Sequence, residues 1–426
     1  MEKIIWCHCS DAHLGYRQYN KLERFEDFGK AFNTCIKMII EKNPDFVIFT
    51  GDLFEHYNPS PPEIIQSIGI LEQLKEKEIP IYVISGNHDV SYALSKRYGG
   101  NILHLLEEIG LIHYLDDDVA LVQKNNKPKA LIAGLRYYGK KTPDKLKEFY
   151  ENNKEKFVRS DIPKILMLHS FIEGTVVNFD ITPYALNLYP FDYIAMGHYH
   201  IKWPSDFHID NNKIFFSGAT EHRSSTEWGH DRGFITVEAT NTGKNWAVKP
   251  EFTSFPVRPK KIIFKDFGIT TADTIVNTTK SLIEKNDEDG ILLRIILKGS
   301  IKTGEFSFIN TQTLKSFSKK SLYVDIINSI TSSSITSKTE VSEREAITEV
   351  LKNNFNIKQE IINDYIALIE NIMKISNDKN FEKISSEILN EFITKNLENI
   401  EKSQSFVELN ILGPIDPEKE PKARQG

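Results

Sequence analysis

The chain has 426 residues, which at roughly 150 per domain suggests two or three domains, and with 40% hydrophobic and 26% charged residues it can bury a core, so wholesale disorder is excluded. Its net charge of −6 argues against a general nucleic-acid coat. No apolar run approaches the roughly 18 residues of a membrane helix, and the first residues turn polar too soon for a signal peptide.

Three cysteines, Cys7, Cys9 and Cys35, are too few for a disulfide framework and fit a reducing, cytoplasmic compartment. Charge is unevenly spread: residues 1–250 carry a net −4, 251–338 a net +4 and 339–412 a net −6, so the basic and acidic segments are expected to meet different partners. All 12 histidines lie between His8 and His230, which assigns imidazole chemistry to the first 230 residues.

In chain order, short apolar runs predict strands at Lys3–Cys9, Phe46–Thr50, Ile81–Ser85, Ala130–Leu135, Lys164–Leu168, Tyr193–Met196, Lys213–Phe216 and Phe234–Glu238. Between the first two, Phe25, Phe28, Phe32, Ile36 and Ile39 form one helical face. Ser60-Pro61-Pro62-Glu63 is a capping box with proline in the first turn, and it opens a helix presenting Ile64, Ile68, Leu71 and Leu74. This alternation predicts a layered α/β domain over residues 1–250 with a largely parallel central sheet. A smaller α+β unit follows over 251–328, with strands at Lys261–Lys265, Ile291–Leu297 and Tyr323–Ile327. Residues 329–339, almost all Ser, Thr and Ile, read as a linker. Residues 340–412 read as helical, with one apolar stripe of Ile357, Ile361, Tyr365, Leu368 and Ile372 and another of Phe381, Ile384, Ile388 and Phe392; residues 413–426 read as a disordered tail.

Five predicted strands run into residues of metal-ligand type: Asp11 and His13, Asp52, Asn87-His88-Asp89, His169, and His198 with His200. Sites in open α/β sheets form at the carboxyl ends of strands. Two divalent ions roughly 4 Å apart need a shared anionic oxygen, and Asp52 is the natural bridge. Asp11 and His13 can chelate one ion from a single turn, Asn87 offers a neutral carbonyl oxygen, and His198 and His200 point the same way from extended chain. Mixed oxygen and imidazole ligands suit Mn, Fe, Zn or Co better than Ca or Mg. The glycines beside them, Gly51, Gly86 and Gly197, fit tight turns.

The set resembles the calcineurin-like metallophosphoesterase superfamily, and within it the double-strand-break repair nuclease family called meiotic recombination eleven, or SbcD in bacteria. The resemblance is carried by Asp11-Ala12-His13-Leu14-Gly15-Tyr16-Arg17-Gln18-Tyr19, Gly51-Asp52-Leu53-Phe54, Gly86-Asn87-His88-Asp89, the lone His169, Gly197-His198-Tyr199-His200 and Ser217-Gly218-Ala219-Thr220-Glu221. It implies a layered sandwich, a small DNA-capping domain and a C-terminal helical element. It further implies two Mn2+ ions per subunit, one held by Asp11, His13, Asp52 and His200 and the other by Asp52, Asn87, His169 and His198. His88 would face the phosphate, with Asp89 orienting it. The implied activity is Mn-dependent cleavage of DNA, 3′–5′ exonucleolytic on duplex and endonucleolytic on single strands. The implied partners are DNA, a second copy of the chain and a coiled-coil ABC ATPase of the Rad-fifty or SbcC type docking on the helical region; none is a membrane. In the basic segment Arg258, Lys260 and Lys261 are candidate phosphate contacts, alongside Lys319 and Lys320. One departure stands out: some members carry a histidine three residues after the Asp52 position, where this chain has Glu55 followed by His56.

Other residues receive plainer readings. Cys7-His8-Cys9 lies on a buried strand and packs. His104 and His113 have no partners in sequence. His222 stands near the Ser217–Glu221 turn, and Lys124, Lys127 and Lys129 read as a solvated loop. The competing functional readings are a phosphoesterase of the same superfamily acting on small phosphoesters or cyclic nucleotides, and a scaffold with a decayed site.

Overall fold

Side chains two residues apart along a strand share a face, and this period sorts the core into layers. In β1 (Lys3–Cys9), Ile4 and Trp6 enter one apolar cluster while Cys7 and Cys9 enter another. The computed structural model of the chain describes residues 3–90, 101–159, 161–205, 213–243, 245–301 and 309–332. The helical region and tail expected after residue 339 therefore lie outside the described residues.

After β1 come α1 (Leu22–Glu41), β2 (Phe46–Thr50), α2 (Pro61–Glu76), β3 (Ile81–Ile84), α3 (Ile102–Glu108), β4 (His113–Tyr114), β5 (Asp118–Lys124), β6 (Lys127–Gly134), α4 (Thr142–Asn153), β7 (Lys164–His169), α5 (Pro183–Asn187), β8 (Tyr193–Gly197), β9 (Ile214–Phe216), β10 (Arg232–Asn241) and β11 (Trp246–Phe255). They build two sheets rather than one. The first runs β11-β10-β1-β2-β3-β4 and the second β5-β6-β7-β8-β9. β1 to β4 are parallel, as are β6 to β9, while β5, β10 and β11 add antiparallel edges.

Trp6, Phe46, Ile48, Ile132, Met167, Tyr193 and Ile235 fill the space between the sheets. Phe32, Ile36 and Ile39 of α1, with Leu71 and Leu74 of α2, cover the outer face of the first sheet. Leu146 and Phe149 of α4 and Leu186 of α5 cover the outer face of the second. The result is a four-layer α/β/β/α sandwich. The capping box forms as predicted, with the Ser60 N–H donating to Glu63 Oε2 at 2.7 Å. The face α2 buries is centred on Ser67, Ile70, Leu71 and Leu74, with Ile64 and Ile68 only partly covered.

A cap follows: β12 (Lys260–Thr270), α6 (Ala272–Lys285), β13 (Leu292–Ile301), α7 (Thr311–Lys315) and β14 (Tyr323–Ser332), with sheet order β12-β13-β14 around its own core of Ile275, Leu293, Ile295 and Val324. The division expected at residues 250 and 251 falls inside β11, which pairs with β10 along its whole length to Phe255. Pro250 masks that strand, yet β11 is an edge, where a missing N–H is tolerated. Residues 329–332, expected to open a linker, belong to β14 instead: Ile330 is buried in the cap core and the Thr331 hydroxyl lies 2.9 Å from that of Ser300, while residues 333–339 lie outside the described residues. Lys124 and Lys127 likewise end paired strands, joined through Asn125 and Asn126 at φ of 53° and 60°, the left-handed pair a tight hairpin needs.

The cap is fastened to the sandwich. Asp27 of α1 accepts from Arg24 Nη1 at 2.7 Å and from Arg258 Nη2 at 2.7 Å, and Arg258 Nη1 donates to the Gly290 carbonyl at 2.7 Å. The rings of Tyr19 and Tyr323 stack with centroids 3.8 Å apart.

Gly197 ends β8 directly opposite His169 in the register. Its backbone is not in a left-handed turn; what it supplies is close approach. A Cβ there would collide with the Thr50 carbonyl and lie 2.6 Å from Ser10 Oγ. Gly197→Ala is expected to cost about 3 kcal/mol, at the upper end for overpacking, read as a lowered denaturation midpoint.

Candidate metal centre

The carboxyl ends of β1, β2, β3, β7 and β8 lie side by side, and the segments leaving them are laced together. Asp11 N–H donates to the Gly51 carbonyl at 3.0 Å, His13 N–H to that of Asp52 at 3.1 Å and Leu14 N–H to that of Leu53 at 2.9 Å. Asp11, His13, Asp52 and His198 hold φ of 53°, 44°, 55° and 86°. Left-handed backbone is costly for residues with a Cβ and persists where the surroundings over-determine it. Here it turns four polar side chains toward one point. Asp89 contributes by accepting main-chain N–H groups from Asp52 at 2.8 Å, Gly86 at 2.9 Å and Phe54 at 3.0 Å.

The donor atoms of Asp11, His13 and His200 lie within 4.8 Å of one another, and so do those of Asp52, His169 and His198. Asp52 stands between the groups, with Oδ2 3.2 Å from His169 Nε2 and 3.9 Å from His13 Nε2. Asn87 Oδ1 is 3.2 Å from His169 Nε2, and the Asp11 carboxylate accepts from the His198 main-chain N–H at 3.2 Å. The seven residues expected as metal ligands are thus brought together.

The tautomers follow from the remaining ring nitrogens. His169 Nδ1 is 2.7 Å from the Thr50 carbonyl, which can only accept, so Nδ1 carries the hydrogen. His200 Nδ1 bonds Glu227 Oε1 at 3.1 Å, with the same consequence. Glu55 Oε2 lies 3.0 Å from His13 Nδ1 but out of line with an aligned hydrogen bond, and its charge favours a hydrogen on that nitrogen. The neutral rings then aim bare Nε2 lone pairs inward: those of His13 and His200 lie 3.1 Å apart, and that of His169 meets two oxygens. Acceptors facing acceptors in a buried site require a cation. A proton is one answer: burial disfavours it on His169, but the Asp52 and Asp11 carboxylates drive that imidazole up to about 9. Burial opposes ionisation of Asp52 too, yet His169, His13 and His88 hold its carboxyl far below the usual range. His198 is pushed down to about 2 by burial and then by the His169 charge, so its ring is neutral and able to ligate. The donor set fits divalent metal ions.

His88 is partly open, with 23% of its side chain exposed. Its orienting partner is not Asp89, as the sequence suggested, because that carboxylate is spent on main-chain N–H groups; His88 Nδ1 bonds the Glu55 carbonyl at 2.7 Å. His222 lies away from the ligands, its Nε2 2.9 Å from the His230 carbonyl and its Nδ1 2.7 Å from Lys260 Nζ. Of the candidate phosphate contacts, Arg258 is engaged with Asp27 and Gly290, Lys260 with His222, and Lys261 lies 3.8 Å from Glu288 on the surface. Cys7, His8 and Cys9 pack as expected: the thiols face α1, and His8 spans the sheets between Tyr193 Oη and Thr50 Oγ1, each at 3.0 Å.

Sequence reading missed Glu227 and the Thr50 carbonyl as supports of the candidate ligand imidazoles. Glu227 is the third helical residue of a capping box opened by Ser224, a visible Ser-x-x-Glu signal, but nothing local ties it to His200.

Residues 7–202 match the family model described as calcineurin-like phosphoesterase. Among curated relatives, the "DNA double-strand break repair protein Mre11" of Methanococcus maripaludis is 34% identical over 231 residues, covering 52% of this chain and 58% of that protein. The protein of the same name from Archaeoglobus fulgidus is 30% identical over 280 residues, covering 59% of each chain. That of Saccharolobus solfataricus is 27% identical over 299 residues, covering 68% of this chain and 74% of its own. The chain thus spans less than two thirds of the first two relatives.

Proposed function

We propose that this chain, which carries a calcineurin-like phosphoesterase domain of the kind found in archaeal Mre11 proteins, is a nuclease that hydrolyses DNA phosphodiesters with two Mn2+ ions. One ion would be held by Asp11, His13, Asp52 and His200, the other by Asp52, Asn87, His169 and His198. The observation that carries this reading is the buried Asp52 carboxylate between two groups of imidazoles whose lone pairs converge. When bound, the cations supply Lewis acidity and offset the charge that develops on phosphoryl oxygens.

The protein's own groups do the rest. Thr50, Glu55 and Glu227 keep three imidazoles in the ligating tautomer. His88, fixed through Nδ1 and open to solvent, presents Nε2 to the phosphate. Because Nδ1 holds a hydrogen toward a carbonyl, Nε2 carries one only in the imidazolium, and that is the form able to donate to a leaving oxygen.

DNA as substrate is supported by the relatives' names and by the net +4 of residues 251–338. The same reading includes duplex 3′–5′ exonuclease and single-strand endonuclease action, a homodimer, and an ATPase partner of the Rad-fifty or SbcC type engaging the apolar stripes of residues 357–392. The test compares Mn2+-supplemented cleavage of linear duplex and circular single-stranded DNA with turnover of p-nitrophenyl phosphate. Cleavage of both DNAs is expected, with the monoester a poor substrate. Faster turnover of the monoester than of DNA would favour a small-phosphoester enzyme instead.

A further inference from the structure

Glu55 occupies the position where some nucleases of this type have histidine, and it is buried, at 4% exposure. Its groups reach three ways. Oε2 lies 3.0 Å from His13 Nδ1 and accepts from Arg223 Nε at 3.1 Å; Oε1 accepts from Arg223 Nη2 at 2.7 Å. Its main-chain carbonyl takes His88 Nδ1 at 2.7 Å, and its own N–H donates to the Leu14 carbonyl at 2.9 Å. Arg223 comes from the turn before β10, and its guanidinium lies 5.1 Å over the Tyr16 ring. The guanidinium of Arg223 meets both carboxylate oxygens, the geometry of an ion pair.

We propose that Glu55 is a positioning residue, clamped by Arg223, whose carboxylate orients the His13 imidazole toward its cation while its main chain separately orients His88. A planar two-pronged pair fixes the carboxylate more tightly than a single bond would. The arrangement makes the ring orientation of His13 depend on a side chain 168 residues away from its clamp. It also divides the labour: changing the Glu55 side chain disturbs His13 and leaves the bond to His88, which is made by main chain. Glutamine fits the same space but cannot serve the same partners. Both carboxylate oxygens accept here, and one amide end can only donate, so it would point hydrogens at Arg223 or at His13 Nδ1–H.

This inference rests on the two-cation reading, and its test reads cation binding directly. Metal-free wild type, Glu55→Gln and Arg223→Ala are titrated calorimetrically with MnCl2, with bis(p-nitrophenyl) phosphate turnover alongside. The expected result is that Glu55→Gln weakens one class of Mn2+ site by about 10–100-fold and leaves the other unchanged, since losing a partner that orients a ligand histidine costs about that much. Arg223→Ala shifts the same class in the same direction by less. Wild-type affinity at both classes in a folded Glu55→Gln protein would overturn the proposal; if that variant does not fold, Arg223→Ala with wild-type binding would overturn it. A wild type that binds paired Mn2+ yet leaves DNA intact would sink the nuclease reading and not this one, whereas a wild type without paired Mn2+ would sink both.

Discussion

Asp52→Asn is expected to remove both cations together and to lower DNA cleavage by about 10^3-fold or more. The carboxylate is buried between two groups of imidazoles, with Oδ2 within 4 Å of ring nitrogens from each. An amide of the same shape keeps the acceptor that takes the His88 main-chain N–H at 2.9 Å, so the loop after β3 should stay in place. It loses the negative charge that lets two cations sit side by side, and it turns one ligand oxygen into a donor. Metal ions contribute several kcal/mol of transition-state stabilisation, and about 4 kcal/mol corresponds to three decades of rate. Elemental analysis after dialysis against Mn2+, beside single-turnover cleavage, checks this. Retention of two ions per chain would show that the shared carboxylate lies elsewhere.

His88→Asn is expected to separate binding from chemistry. The variant should hold both ions with near wild-type affinity and cleave about 10^2- to 10^4-fold more slowly, the usual scale of a lost proton donor. The ring is anchored by a bond to the Glu55 carbonyl, and it meets His13 edge to face at a centroid distance of 5.0 Å. Asparagine can imitate one hydrogen bond but cannot carry a ring proton to a leaving oxygen. Mn2+ titration and kcat measured on the same preparation decide the matter, and a variant with unchanged kcat would strip His88 of its role.

Much of this candidate centre is legible in the chain because each proposed ligand ends a strand or follows one within a few residues. Asp11, Asp52, Asn87 and His169 announce themselves by standing where apolar β-branched runs stop, and parallel register then carries those stops to one edge. What holds the ligands is less visible. Glu227 reaches His200 and Arg223 reaches Glu55 only once the loops converge, and main-chain acceptors such as that of Thr50 leave no mark on residue identity. Asp89 misled for a related reason: adjacency to His88 suggested a side-chain pair, whereas three unsatisfied N–H groups in neighbouring loops were the stronger claim on its oxygens. At the level of fold, the buried parallel strands were plain. The amphipathic edge strands β5 and β11 were not, because one side of each faces water and their polar residues look like loop.

The placement of Cys7, Cys9 and Cys35 has a practical use. All three sulfurs lie in the layer between the first sheet and α1, without solvent contact, and burial raises the Cys7 thiol to about 12 and that of Cys35 well above its usual value. Such groups ignore an electrophile while the layers stay shut, since the thiolate is the reacting species. A chromogenic alkylating or disulfide reagent therefore acts as a clock on opening of this half of the sandwich, and a site variant that stays unlabelled as long as wild type has kept its architecture.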